Sequence, residues 1–386
     1  MASLPSPREM ERAYRRSDET YDGVFYLGVR TTGIFCRPSC SARKPFPKNV
    51  QYFATPREAL FAGYRPCKRC TPLSAIGDPP SWVATLVSEV DRDPSRRLSD
   101  ADVRRMGIEP ARVRRFFQRS YGMTFQAYCR GRRLGKALEQ IRKGGRLDDV
   151  LLGYGFESHS GFRDAFTKTF GTTPGKAREA SCIRVAWIES PLGPLVAGAT
   201  DSRLVLLEFT DRRMLETQFR TLRRAFRLPI VPGENPVLLR LREELGEYFA
   251  GKRKAFTVPL EYPGSDFQKR VWEELTDIPY GRTISYEELA RRTGSPRAQR
   301  AAGSANGRNR IGIVIPCHRV VNKSGALGGY GGGLWRKQAL LDLERGEREF
   351  PVSLSRPVSY SSSSTRRRGV RPQGERVPRR NPRADG

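Results

Sequence analysis

The stretch Ile313-Val314-Ile315-Pro316-Cys317-His318-Arg319-Val320-Val321 places a thiol directly before one of the chain's two histidines, between apolar flanks. The β-branched runs on either side read as buried strand. A thiol in apolar surroundings is ordinarily inert, because burial disfavours the thiolate. A neighbouring imidazole changes that. It can take the proton, directly or through a water, and leave a nucleophile. Pro316 fixes φ and gives up an N–H, which suits a sharp turn at the reactive atom. These residues alone leave two readings open: a reactive Cys317 with His318 as base, or a core cysteine beside a satisfied core histidine.

The surrounding sequence decides between them. Upstream lie Ile278-Pro279-Tyr280-Gly281-Arg282-Thr283-Ile284-Ser285-Tyr286 and Ser295-Pro296-Arg297-Ala298-Gln299-Arg300-Ala301-Ala302-Gly303, then Asn309. Downstream lie Gly328-Gly329-Tyr330-Gly331-Gly332-Gly333 and Lys337-Gln338-Ala339-Leu340-Leu341-Asp342-Leu343-Glu344. This block resembles the O6-alkylguanine-DNA alkyltransferases, which carry Pro-Cys-His-Arg-Val at the methyl-acceptor site. The likeness runs from about Cys182 to Glu349. It implies a ribonuclease-H-like α/β region over 182–262 and a winged-helix-like catalytic domain over 263–349.

The same resemblance assigns roles. Cys317 is the acceptor, His318 takes its proton through a water, and Glu344 orients His318, the nucleophile–base–orienter logic of a triad. Asn309 supports the turn before the active strand. Arg300 fills the gap left by a base extruded from the duplex, and Tyr286 crowds the 3′ phosphate and later donates to the purine. Ala301, Ala302, Gly303 and Ala305 are small and would let their helix approach the minor groove. Tyr330 and Arg319 complete the expected substrate and DNA contacts. Gly331 stands where the family has a serine, which removes one expected hydrogen bond to the purine. Transfer from O6-methylguanine, with O4-methylthymine as a second base, would leave S-methylcysteine. A thioether has no easy leaving reaction, so each molecule would act once.

At 386 residues the chain is too long for one ordinary core. Its formal net charge of +29 points to an anionic polymer, most simply double-stranded DNA; a merely solvated basic surface would need less. Of seven cysteines, four fall as Cys36, Cys40, Cys67 and Cys70. That grouping suits a metal in a reducing compartment better than a disulfide framework. No stretch approaches a transmembrane span or a secretory leader, so a cytoplasmic protein is expected.

Residues 1–77 read as a compact unit. Val24-Phe25-Tyr26-Leu27-Gly28-Val29 reads as strand and Pro56 to Gly63 as a short helix. Two thiol pairs separated by a few tens of residues read as one tetrahedral zinc ion. A purely structural zinc would suffice, since so small a domain needs a staple. Thr31-Thr32-Gly33-Ile34-Phe35-Cys36-Arg37-Pro38-Ser39-Cys40 and Phe61-Ala62-Gly63-Tyr64-Arg65-Pro66-Cys67-Lys68-Arg69-Cys70 resemble the Ada-type zinc domains. That likeness implies that Cys36 is both ligand and acceptor of methyl from DNA phosphotriesters, with Cys40, Cys67 and Cys70 as the other ligands. Four thiolates around a dication leave a net negative site. Methylating one sulfur removes a charge and would raise DNA affinity, a local switch. Ser41-Ala42-Arg43 is less basic than the family tends to be there, which bears on phosphate contacts but not on the metal.

Asp78-Pro79-Pro80-Ser81 reads as a linker. Residues 82–180 carry a helical pattern with two similar units. In the first, Ser99 and Asp102 form a start signal, Gly107 a break and Pro110 a helix start. Val113, Phe116 and Phe117 stripe one face, with Arg112, Arg114, Arg115 and Arg119 outside. In the second, Leu147, Val150 and Leu151 precede Gly153-Tyr154-Gly155, Ser158 caps, and Phe162, Ala165 and Phe166 form the stripe. Two such units suit a double helix-turn-helix reader of the major groove, although a plain helical bundle has the same periodicity. Gly155-Phe156-Glu157-Ser158 and Phe170-Gly171-Thr172-Thr173-Pro174 resemble the AraC family. His159 reads as an exposed recognition-helix residue. Residues 350–386, rich in Ser, Pro and Arg, read as a disordered basic tail.

The fold class expected is therefore a multidomain α+β chain: a small zinc-bound α/β domain, an all-α double helix-turn-helix domain, a ribonuclease-H-like α/β region and a winged-helix-like domain, then the tail. The resemblances imply a monomeric, nucleoid-associated bacterial regulator and repair protein. Alkylated DNA, promoter DNA and RNA polymerase would be its partners, with one Zn2+ and no organic cofactor. The rival is a zinc-stapled, non-enzymatic transcription regulator that only binds alkylated DNA.

Overall fold

The structure is a computed structural model and describes residues 4–73, 81–212 and 214–350. Most of the expected linker (residues 78–80) and the expected tail from residue 351 lie outside the described residues.

The N-terminal unit starts with α1 (Pro7–Arg15), capped by Ser6, whose hydroxyl accepts from the Glu9 N–H. There follow β1 (Tyr26–Val29), β2 (Ile34–Cys36), β3 (Val50–Phe53), α2 (Pro56–Phe61) and β4 (Arg65–Pro66). The strands form one sheet in the order β3-β1-β2-β4, antiparallel except for β2 with β4. The parallel pairing matters for the site: it puts the end of β2, with Cys36, beside the end of β4, with Cys67 directly after it.

Six helices follow: α3 (Ser81–Arg92), α4 (Asp100–Arg105), α5 (Pro110–Tyr121), α6 (Phe125–Arg142), α7 (Leu147–Gly153) and α8 (His159–Phe170). Ser99 and Asp102 form a reciprocal capping box at α4, satisfying two orphan amides. Gly107 turns the chain with φ +73°, and Pro110 occupies the first turn of α5. Ser158 caps α8 by accepting from the Gly161 N–H at 3.1 Å. Both helix pairs therefore form as read, and 18-residue α6 joins them.

The third region opens with β5 (Ile183–Ile188), β6 (Leu195–Ala199), β7 (Leu204–Phe209), α9 (Leu215–Phe226), β8 (Ile230–Pro232) and α10 (Pro236–Phe249). Its sheet has the order β7-β6-β5-β8, with β8 parallel to β5. It continues with α11 (Asp266–Thr276), β9 (Ile284–Ser285), α12 (Tyr286–Arg292), α13 (Gln299–Gly307), β10 (Val320–Val321) and α14 (Leu334–Glu344). One core joins Ile188, Leu207 and Phe209 of the sheet to Leu241, Trp272, Leu289 and Leu340 of these helices.

The helical unit does not stand apart. Val113, Phe117 and Tyr121 of α5 share a buried cluster with Val185, Val196, Val205 and Phe219. Tyr121 stacks on Trp187, ring centroids 5.3 Å apart. Gly135 of α6 lets β8 approach closely, since a Cβ there would lie 2.6 Å from a Val231 methyl.

One expectation fails. The run before Cys317 is not a strand. Ile311 makes a single bridge to Leu207, and residues 312–315 then turn. Ile313 sits at φ +69°, uncommon for a β-branched residue. The Ile315 N–H returns to the Ile311 carbonyl at 2.9 Å, and Cys317–Arg319 is one 3-10 turn. The apolar run signalled burial correctly, but burial alone does not distinguish a strand from a buried turn.

Candidate active site and zinc centre

The turn carrying Cys317 is held by Asn309. Its amide donates to the Ile315 carbonyl at 2.8 Å, and its carbonyl oxygen accepts from the Ile311 N–H at 2.9 Å. Cys317 is 8% exposed. Burial pushes its thiol up, while the Asn309 hydrogen bond and the charges of Arg212 and Lys337 pull it back. Lys337, on α14, is itself buried, with its ammonium donating to the carbonyls of Val320 and Leu327; burial brings it down to about 8.

His318 is wholly buried, and burial holds it below its ordinary value, so the ring is neutral at neutral pH. Its Nε2 lies 2.8 Å from Glu344 Oε1. Burial opposes ionisation of Glu344, but His318 and Arg319 hold its carboxyl well below the usual range. A carboxylate only accepts, so Nε2 carries the proton and donates. Nδ1, buried and without a hydrogen-bond partner, is then left as the basic nitrogen.

Glu344 gathers more donors than the triad logic requires. Arg319 donates to both its oxygens at 2.8 and 2.9 Å, Tyr248 at 2.7 Å and the Gly281 N–H at 3.1 Å. This corrects one expectation. Arg319, expected to meet substrate or DNA, is 6% exposed; it also donates to the Ile278 carbonyl and lies over the Tyr280 ring, 5.8 Å from its centroid. A buried guanidinium needs a carboxylate, and Glu344 supplies it. Tyr248 was not foreseen, because nothing in the helical pattern of 238–249 marks it out.

Cys317 borders an open cavity of about 630 Å³, whose lining includes Tyr286, Arg300, Gly303, Asn309 and Tyr330. Tyr286 opens α12, capped by Ser285, and its hydroxyl donates to the Gly329 carbonyl at 3.4 Å. Arg300 and Ala301 are exposed on α13, with Gly303 half-buried beside them. Ala302 and Ala305 instead face the core, at 0% and 3% exposure. Of the four small residues expected at a groove, only Ala301 and Gly303 face outward. Arg297 and Arg308 are exposed at the two ends of this helix.

In the N-terminal unit, the sulfurs of Cys36, Cys40, Cys67 and Cys70 all lie within 4.8 Å of one another. Zn–S bonds of about 2.3 Å would place tetrahedral sulfurs about 3.8 Å apart, so the set fits zinc. The backbone amides of Arg37 and Arg69 donate to the sulfurs of Cys70 and Cys67, each at 3.4 Å. The hydrogen bond that Cys36 gives Cys70, with burial, pushes the Cys36 thiol up; the same bond draws Cys70 down to about 5. A bound dication favours all four as thiolates. These four cysteines form the zinc site.

On the helical unit, Arg112, Arg114, Arg115 and Arg119 lie on α5, and all four are exposed. His159 is exposed at the start of α8, 3.1 Å from Asp148.

Four family models match the chain. The metal binding domain of Ada covers residues 9–72 and a helix-turn-helix domain covers 103–180. The ribonuclease-like domain of 6-O-methylguanine DNA methyltransferase covers 183–262, and the DNA binding domain of 6-O-methylguanine DNA methyltransferase covers 266–346. The chain is 34% identical over 339 residues to the bifunctional transcriptional activator/DNA repair enzyme Ada of Escherichia coli, covering 85% of this chain and 93% of that protein. It is 46% identical over 174 residues to the methylated-DNA–protein-cysteine methyltransferase of Mycolicibacterium paratuberculosis, covering 45% of this chain and 98% of that protein. Among solved structures, Mycobacterium tuberculosis OGT in complex with DNA aligns at 41% identity with a TM-score of 0.38, over 43% of this chain and 95% of that one.

The matches define a protein that joins a metal-binding domain, a helix-turn-helix domain and a methyltransferase of the protein-cysteine class. Their order and extent place it further: the chain belongs to the Ada family of bifunctional regulator and repair proteins.

Proposed function

We propose that this chain reverses alkylation of double-stranded DNA by two irreversible transfers, one to each cysteine centre, and that the second also regulates transcription. The observation that carries the first is a nearly buried thiol on the cavity wall, followed in the chain by a neutral histidine whose one nitrogen is held by Glu344 and whose other has no hydrogen-bond partner. With a water between them, Nδ1 of His318 takes the Cys317 proton. The sulfur attacks the methyl carbon of O6-methylguanine, the S–C bond forms as the C–O6 bond breaks, and the electron pair stays on the purine, which then takes a proton. The product is S-methylcysteine and guanine. O4-methylthymine is a second base of the same chemistry.

The cavity serves an extruded base. Arg300, exposed at its rim, fills the vacated stack. Tyr286 presses on the 3′ phosphate and donates to the purine, with Tyr330 at the wall and Ala301 and Gly303 facing the minor groove. Asn309 fixes the turn. In the N-terminal unit, Cys36, Cys40, Cys67 and Cys70 would hold one zinc ion, which would keep their sulfurs as thiolates. Cys36 is the methyl acceptor from phosphotriesters, and its methylation removes one negative charge near the DNA backbone and tightens binding. The helix-turn-helix pairs then read a promoter and bring RNA polymerase to alkylation-response genes. No helix among the described residues is long and apolar enough to cross a membrane; a monomer in the cytoplasm, associated with the nucleoid, suits these roles. The domains divide at residues 1–77, 82–180, 182–262 and 263–349.

The test is transfer of labelled methyl to wild type, Cys317→Ala and Cys36→Ala. Cys317→Ala is expected to lose transfer from O6-methylguanine and keep transfer from phosphotriesters, with the reverse in Cys36→Ala. Wild-type protein that binds alkylated DNA but takes up no label would favour the purely regulatory reading.

A further inference from the structure

One wall of the acceptor cavity is a guanidinium. Arg212 lies just past β7, and the cavity that exposes Cys317 is lined by Arg212 as well. Three groups pin it. Its Nη1 pairs with Glu208 of β7 and donates to the Asn309 carbonyl at 3.0 Å; its Nη2 donates to the Gly307 carbonyl at 2.7 Å. Glu208 is fully engaged, accepting also from Gln218 and the Phe209 N–H. The Arg212 Nε–H has no hydrogen-bond partner, which is costly for a buried donor.

Gly331 faces this guanidinium. A Cβ at 331 would lie 2.6 Å from Arg212 Cζ and 2.7 Å from Nε. Gly331 does not have a positive φ, so the position demands space, not glycine's conformational freedom. Arg212 and any side chain at 331 therefore exclude one another from the same part of the cavity wall.

Resting on the reading that Cys317 accepts methyl from a purine, we propose that Arg212 is a substrate-contacting residue. Its guanidinium takes the place that a side chain at 331 would occupy and donates a hydrogen bond to the acceptor edge of the extruded base. As the S–C bond forms and the C–O6 bond breaks, the electron pair develops as negative charge on the purine oxygen. A fixed cationic donor aimed there favours the transition state over the neutral ground state. It needs no reorganisation, because the Asn309 and Gly307 carbonyls already fix its plane.

The experiment measures single-turnover transfer from duplex O6-methylguanine in the full chain. The variants are Arg212→Ala, Arg212→Lys, Gly331→Ser and the double variant Arg212→Ala/Gly331→Ser. Loss of one such donor slows transfer by roughly 10²-fold, so Arg212→Ala is expected to fall by that order, with Arg212→Lys recovering part of the rate. Gly331→Ser alone is slowed by its clash. The double variant is faster than either Arg212→Ala or Gly331→Ser, because the introduced hydroxyl now has room and faces the purine. Recovery of that kind cannot come from folding, since a hydroxyl at position 331 gives Glu208 no new cation. Should Arg212→Ala not fold, Arg212→Lys and Gly331→Ser decide alone. Wild-type rates in Arg212→Ala or in Gly331→Ser, or a double variant no faster than Arg212→Ala, would overturn the proposal. Wild-type protein that transfers nothing would instead remove the methyl-acceptor reading beneath it.

Discussion

Cys36 and Cys317 face the same difficulty and meet it by different physics. Both are nearly buried, at 7% and 8% exposure, and burial works against both thiolates. Around Cys36 the neighbours are three more sulfurs, which cannot share one another's negative charge; the remedy is an external cation. Cys317 has the buried cations Arg212 and Lys337 acting on it, and the next residue is a neutral imidazole held by an anchored carboxylate, so the charge is moved within the protein. The lesson is that a buried nucleophile needs its counter-charge built into the site, and a small domain without room for such a network can use a metal.

That contrast can be broken most severely by removing the metal. Chelation is expected to abolish phosphotriester transfer and unfold the N-terminal unit, while Cys317 keeps its transfer from O6-methylguanine. Circular dichroism and the two transfer assays on one sample check this, and joint loss would join the two centres. Next in size is Glu344→Gln. It leaves Arg319 without its carboxylate, and breaking a buried pair costs about 3–5 kcal/mol. Thermal unfolding of the third region should fall accordingly, with zinc content unchanged. Arg300→Ala is a smaller and more selective change. It is expected to slow transfer from duplex DNA about tenfold and leave reaction with free O6-benzylguanine near the wild-type rate; equal loss on both would make Arg300 structural.

The smallest effect sharpens the comparison through pH. His318 has a folded value below its unfolded one, about 6.5. Its neutral burial therefore contributes stability that is fully present above that pH and is lost as pH falls towards the folded value. The slope is at most ~1.4 kcal/mol per pH unit for one proton. Denaturant unfolding of wild type and His318→Gln between pH 7 and pH 5 should show the steeper decline in wild type. Parallel curves would mean that His318 is not buried neutral.

Much of both centres was legible because it lies in short stretches. Four sulfurs in two pairs, and a thiol beside a histidine, are local patterns. Glu344 was reached only through the family likeness. What escaped depends on distant partners or on which way a side chain turns. Arg319 could have faced DNA, and only the fold puts it against a carboxylate 25 residues on. Ala302 and Ala305 differ from Ala301 and Gly303 in nothing but helical phase. Glu208 and Arg212 sit in a strand region whose apolar pattern gave no reason to look for a cavity wall. The packing of α5 on the sheet joins residues far apart in the chain, such as Tyr121 and Trp187, and no periodicity reports it.

On the proposed function, two chemically different thiol centres each take their own methyl group. The most direct measurement is peptide mapping of the wild-type chain after exposure to duplexes labelled either at guanine O6 or at a backbone phosphotriester. The O6 label is expected on the peptide bearing Cys317 and the phosphotriester label on that bearing Cys36, at one methyl per site. The alternative acceptor in the second centre is Cys70, the most exposed of the four cysteines. Phosphotriester label on Cys70, or O6 label anywhere but Cys317, would contradict the account.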